Sequence, residues 1–156
     1  MSEHPETRPF PEIAADLRQA IDVALPKLRQ IADARAAEPR APGKWSPKQV
    51  IGHLIDSASN NHQRFVRALQ VIEVTLPGYA QDDWVRVQHY TERSWDEILT
   101  LWHAYNLHLV HIITRIPEDR RRVQCRIGSS AEVTLGFLVS DYVVHLRHHL
   151  AQVDAL

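Results

Sequence analysis

The chain is poor in cysteine: Cys125 stands alone among 156 residues. One thiol cannot form an internal disulfide or build a cysteine-rich zinc site. No activating partner adjoins it in sequence, so the expected role of Cys125 is structural. Charge of one sign is missing too, since 18 basic residues face 19 acidic ones for a net charge of −1. Without a polybasic tail or stripe there is no electrostatic case for nucleic acid, and a small-molecule ligand fits better. No run of about 18 apolar residues is present to span a membrane, and Met1 to Pro11 lacks the apolar core of a signal peptide. The expected protein is soluble and cytoplasmic. Repeats and low-complexity tracts are absent, and the length suits one domain over residues 1–156, irregular over 1–10, with a core of its own.

What the chain does have is helical periodicity. Ile13, Leu17, Ile21, Ala24, Leu28 and Ile31 recur at steps of three and four, predicting a first helix from about Pro11 to Ala36 with a kink at Pro26. Ser46-Pro47-Lys48-Gln49 combines an N-cap, a first-turn proline and a capping-box glutamine, and starts a second helix that runs to about Gln70. Ser94-Trp95-Asp96-Glu97 opens a third, which ends before Pro117. Thr134 caps a fourth that reaches about Val153. An extended piece is expected at most around Val123 to Ile127, and no sheet pattern stands out. Four amphipathic helices of about 20 residues make the fold class all-α, a helical bundle.

Chemistry concentrates in histidine. His145 and His149, in His145-Leu146-Arg147-His148-His149, lie one helical turn apart at the edge of the apolar stripe, so both project from one face at metal-ligand spacing. With ten histidines in the chain, such a pair arises by chance often enough that a third ligand must be found. His53 sits on the polar flank of the second helix with Ser57, Asn60 and Arg64, where periodicity alone makes it a surface residue. His108, on the apolar face of the third helix, is a rival third ligand or a satisfied core histidine. His62, His103, His111 and His148 read as solvated or pocket-rim residues, and His4 and His89 fall in irregular segments.

At this point the chain resembles the DinB-like superfamily, in particular its YfiT-type branch of metal-dependent hydrolases. The resemblance spans Gly43 to Val153. It is carried by Lys44-Trp45-Ser46-Pro47-Lys48-Gln49-Val50-Ile51-Gly52-His53-Leu54-Ile55-Asp56-Ser57, by Arg64-Phe65 and by His145-Leu146-Arg147-His148-His149-Leu150-Ala151-Gln152-Val153. Thr134-Leu135 and the Tyr79 to Trp84 connection match as well. It implies an antiparallel four-helix bundle with a long crossover, and a metal held by one histidine of the second helix and a pair on the fourth. Those positions are His53, His145 and His149.

Three neutral imidazoles suit a divalent ion, with Zn and Ni leading and Fe and Mn as alternatives, and they leave coordination positions open. Such an ion acidifies water for hydrolysis or holds a thiol as thiolate. The resemblance therefore implies a metal-dependent hydrolase or a thiol S-transferase using bacillithiol, mycothiol or glutathione. The competing class is a non-catalytic metal- or ligand-binding stress-response protein. Asp56 and Asp141 are candidates to orient a ligand histidine, against a reading as helix-surface carboxylates; no residue is placed as general base. Arg64, Arg147 and Arg120 to Arg122 could contact an acidic thiol, against a reading as solvated charges. The resemblance also implies a homodimer, for which Trp84, Trp95 and Trp102 supply large side chains, although buried aromatics account for them more simply.

Overall fold

Residues 8–155 are described by a computed structural model; residues 1–7, His4 among them, lie outside the described residues. Helix α1 spans Phe10–Leu28 and buries Ile13, Leu17, Ile21, Ala24 and Leu28 as the periodicity requires. It stops short of the expected Ala36. The chain turns after Leu28 and forms a separate single-turn helix, α2, at Asp33–Ala36; Pro26, inside the last turn of α1, has no N–H to give to the Asp22 carbonyl. Helix α3 spans Pro47–Ala68, and its capping box is complete: the Gln49 N–H donates to Ser46 Oγ at 3.3 Å and the Ser46 N–H donates to Gln49 Oε1 at 2.9 Å.

Strand β1 (Glu73–Leu76) and helix α4 (Gln81–Val87) precede helix α5 (Trp95–Thr114). Ser94 caps α5 by accepting from the Glu97 N–H. Strands β2 (Gln124–Ile127) and β3 (Val133–Thr134) lead into helix α6 (Leu135–Gln152), capped by Thr134 as expected. The three strands form a small sheet, β1 parallel to β2 with Val74 opposite Cys125, and β2 antiparallel to β3. Only β2 was foreshadowed by the sequence, because strands of four and two residues are too short to establish an alternating pattern. Cys125 is buried in this sheet and its thiol is pushed up by burial, which suits the structural role.

The long helices α1, α3, α5 and α6 form the four-helix bundle, with α1 and α3 on opposite corners, each packed against α5 and α6. Hydrogen bonds fix their directions. The Trp95 indole at the start of α5 donates to the Leu28 carbonyl at the end of α1 (2.9 Å), so these two run antiparallel. Asp33 joins the starts of α3 and α5, accepting from Lys48 Nζ at 3.1 Å and from the Trp95 N–H at 2.7 Å. Those two helices therefore point the same way, and the chain between them must return along the whole bundle.

This return, residues 69–94, is the long crossover. It is clamped onto α3 beside Gly52 and Asp56. A Cβ on Gly52 would lie 2.2 Å from Tyr90 Cδ2, so only glycine lets the Tyr90 ring lie flat on the helix. The Tyr90 hydroxyl and the Gln88 side-chain N–H both donate to Asp56 Oδ1 at 2.7 Å. With α5, α6 and the crossover around it, the first half of α3 is enclosed on every side, and residues 50–58 are all buried. No helix among the described residues is long and apolar enough to cross a membrane.

Candidate metal centre

The enclosure of α3 decides where His53 goes. A helical wheel assigns its polar flank to water, but Ser57 and Asn61 on that flank are buried and the His53 ring is fully buried. Because α3 and α6 run antiparallel, the early turns of α3 meet the late turns of α6. His53 Nε2 lies 3.1 Å from His145 Nε2, and His149 Nε2 lies 3.1 Å from the same atom. The ligand atoms of all three fall within 4.8 Å of one another, a spacing that one ion can bridge. Nitrogens around a tetrahedral Zn²⁺ with bonds of about 2.0–2.1 Å sit roughly 3.4 Å apart, close to the two 3.1 Å gaps that His145 makes.

The donor set fits a cation chemically as well. His145 Nε2 has two imidazole nitrogens at hydrogen-bond distance and can satisfy only one with a single proton or lone pair. A cation accepts all three lone pairs at once. Burial is the main force on the protonation state: it drives His53 down to about 3, with further lowering from His149 and His145. His145 falls to about 4 through burial, His149 and His148. His149 is lowered by burial and His148, partly offset by its bond to Gln152. The rings therefore stay neutral near pH 7, with lone pairs available.

Two neighbours sharpen the geometry, and sequence reading gave neither this role. Gln152, one turn after His149, accepts from His149 Nδ1–H at 2.8 Å, which leaves Nε2 as the unprotonated nitrogen facing the cluster. Its three-residue spacing from His149 was the available signal. Trp45, just before α3, lays its ring beside His53 and His149 with centroids at 5.1 and 6.4 Å. It also lines a cleft of about 540 Å³ that opens at His149 and is bordered by Arg40, Lys44, Val50 and Gln152.

The remaining sequence candidates are placed elsewhere or differently. His108 is exposed rather than on a buried face, and it pairs with His62, ring centroids 5.1 Å apart, away from the three-histidine cluster. Asp56 is no surface carboxylate, but its bonds go to Tyr90 and Gln88; His53 Nδ1 is buried without a hydrogen-bond partner among the described residues. Asp141 is exposed and lines a small cavity that opens at His145. Arg147 is spent on Asp16 of α1, and Arg120 on the carbonyls of Ala68 and Val71. Arg121 bonds to Glu118 and to the Arg8 carbonyl. Of the arginines singled out, only Arg64 borders the site.

A profile of the DinB superfamily matches residues 16–153. The chain belongs to the DinB superfamily. A protein of Oceanobacillus iheyensis named "Putative metal-dependent hydrolase" is 25% identical over 111 residues, covering 71% of this chain and 64% of the relative. A Bacillus cereus protein of the same name is 24% identical over 114 residues, covering 73% of this chain and 65% of the relative. The matches span just under two thirds of the length of these curated relatives.

Among solved structures, YfiT from Bacillus subtilis, described as a probable metal-dependent hydrolase with an unusual four-helix bundle topology, superposes with a TM-score of 0.71 at 22% identity. That alignment covers 93% of this chain and 79% of YfiT. A mycothiol-dependent maleylpyruvate isomerase superposes with a TM-score of 0.77 at 14% identity over 96% of this chain and 62% of that one. At these identities the two structures establish the fold.

Proposed function

We propose that this protein is a divalent-metal-dependent enzyme in which His53, His145 and His149 hold the ion and a small nucleophile, water or a low-molecular-weight thiol, is activated beside it. The carrying observation is the convergence of three Nε2 atoms around one point, next to a cleft large enough for a small substrate. Three protein ligands leave the open position of a catalytic rather than a structural site. Bound there, Zn²⁺ or Ni²⁺ would supply Lewis acidity towards a nucleophile or a substrate oxygen.

The chain's own residues do the rest. Gln152 fixes the His149 tautomer. Burial keeps the three imidazoles unprotonated and limits competition from bulk water. Trp45 provides an apolar wall against which the substrate body packs, at the mouth bordered by Lys44 and Arg40. The names of the curated relatives favour hydrolysis, and the isomerase neighbour is described as mycothiol-dependent; both support keeping the two nucleophiles in one proposal.

The test begins with elemental analysis of protein purified without chelator. The loaded protein is then assayed against a panel of esters and amides, and against electrophiles paired with glutathione, mycothiol or bacillithiol. A stoichiometric divalent ion and turnover that chelator abolishes are the expected results. Stoichiometric metal with no turnover across the panel would favour a binding protein, and absence of any bound or acquired ion would overturn the proposal.

A further inference from the structure

A second, smaller cavity of about 110 Å³ meets the three-histidine cluster at the ring of His145, among Ser57, Asn61, Arg64, Tyr79 and Asp141. While His145 Nε2 faces the other two histidines, its Nδ1 is turned towards Ser57 Oγ at 3.5 Å. This cavity is thus the polar side of the site, opposite in character to the wall made by Trp45.

Arg64 is the unexplained group in it. Its guanidinium is half-buried, and burial disfavours its charge. One long bond, from NH1 to Asn61 Oδ1 at 3.4 Å, is its only hydrogen bond among the described residues, and it makes no ion pair with any of them. A guanidinium carries five N–H donors in a planar fork, so most of this one's capacity is unspent. Asp141 exerts an electrostatic pull but does not reach it. By contrast, Arg147, Arg120 and Arg121 are all occupied with carboxylates or carbonyls of the fold.

We propose that this cavity takes a carboxylate group of the substrate, with Arg64 as the residue that binds it; the inference rests on the metal-dependent reading above. The fork of Arg64 matches a carboxylate in bidentate geometry. The hydroxyls of Ser57 and Tyr79 line the same walls and can donate to it. Volume limits the occupant: a water takes about 30 Å³ in the liquid, so the cavity holds roughly three to four waters or one small group, and not a whole substrate. Charge narrows it further, because Asp141 already places one negative charge in the cavity, which a monoanion tolerates beside Arg64 better than a phosphate dianion does. A substrate anchored there would present its adjoining carbon to the three histidines.

The experiment follows the Arg64 Nε–H signal by ¹⁵N NMR in the full-length protein, metal-free and zinc-loaded, during titration with acetate, acetamide and inorganic phosphate. The expected result is a saturable shift with acetate in both forms, none with acetamide, and weaker binding of phosphate. Acetate binding, followed on the Tyr79 and His145 signals, should weaken by at least about tenfold in Arg64→Gln, the loss of one charge-assisted hydrogen bond, and less in Arg64→Lys. No saturable response to acetate overturns the inference, as does an equal response to acetamide, phosphate binding tighter than acetate, or undiminished acetate binding in Arg64→Gln. Protein that binds acetate at Arg64 but never retains zinc leaves this subsite standing and sinks the metal reading; retained zinc with a silent Arg64 does the reverse.

Discussion

Helix α3 carries two histidines nine residues apart, His53 and His62, and each belongs to a histidine group of a different kind. His53 meets His145 and His149 with three Nε2 atoms turned to a common point. His62 meets His108 and, beyond it, His111, but its Nδ1 bonds to the Tyr105 hydroxyl at 3.0 Å, and His108 stacks on His111 with centroids 6.3 Å apart. Only the first group, among the described residues, gathers three ligand atoms within bridging distance. Histidine density is therefore a poor guide to a metal site. What separates the groups is whether the lone pairs converge, and whether the surroundings are dry enough to hold them unprotonated.

The comparison breaks most sharply under alanine substitution. His145→Ala should abolish stoichiometric divalent metal while the far-ultraviolet circular dichroism stays helical, because the bundle has its own apolar core; His108→Ala should retain the full complement. Equal metal contents in the two variants would erase the distinction between the groups. A smaller effect is expected one step out from the ligands. Gln152→Ala should weaken metal affinity by about 10- to 100-fold, the usual consequence of losing the partner that orients a ligand histidine. Tyr105→Phe, which removes the hydroxyl at His62, should leave it unchanged in a competition titration against a chelating dye.

The smallest effect concerns acid. His53 and His145 are held at about 3 and about 4 in the folded metal-free protein, and His62 is also lowered by burial and by His108. A group whose folded value is depressed binds more protons in the unfolded chain. Its contribution is complete above the ordinary imidazole value of 6.5 and is lost as pH falls towards the folded value. The urea midpoint of the metal-free protein should therefore fall between about pH 6.5 and pH 4. His53→Gln should flatten that fall more than His62→Gln does, and a steeper loss in His53→Gln would reverse the ranking of the two groups.

Much of this was legible in the chain, and the gaps have physical reasons. Ser46, Ser94 and Thr134 announced three helix starts because capping is local chemistry. His145 and His149 were visible because one turn of helix is a fixed distance. His53 was misplaced by periodicity, which supposes that a helix has one wet side. The early turns of α3 have none, since α5, α6 and the crossover cover them, and only the resemblance carried by the residues around His53 pointed to the site. His108 failed in the opposite sense: its place on an apolar wheel position suggested burial, yet it faces outward beside His62. The sheet was mostly unreadable because its register is set by the return path of the chain, and the strands themselves are short.

The meeting of His53 with His145 joins positions 92 residues apart. An ion gripping both ends would hold that span closed in the folded chain and not in the unfolded one, so it would stabilise by mass action, by about 2.7 kcal/mol when free metal exceeds its dissociation constant a hundredfold. Such a tie can form only after α3 and α6 have docked, so it would strengthen the finished molecule without directing its assembly. A chain with a single cysteine thus has within reach a reversible crosslink, one governed by metal supply instead of redox state.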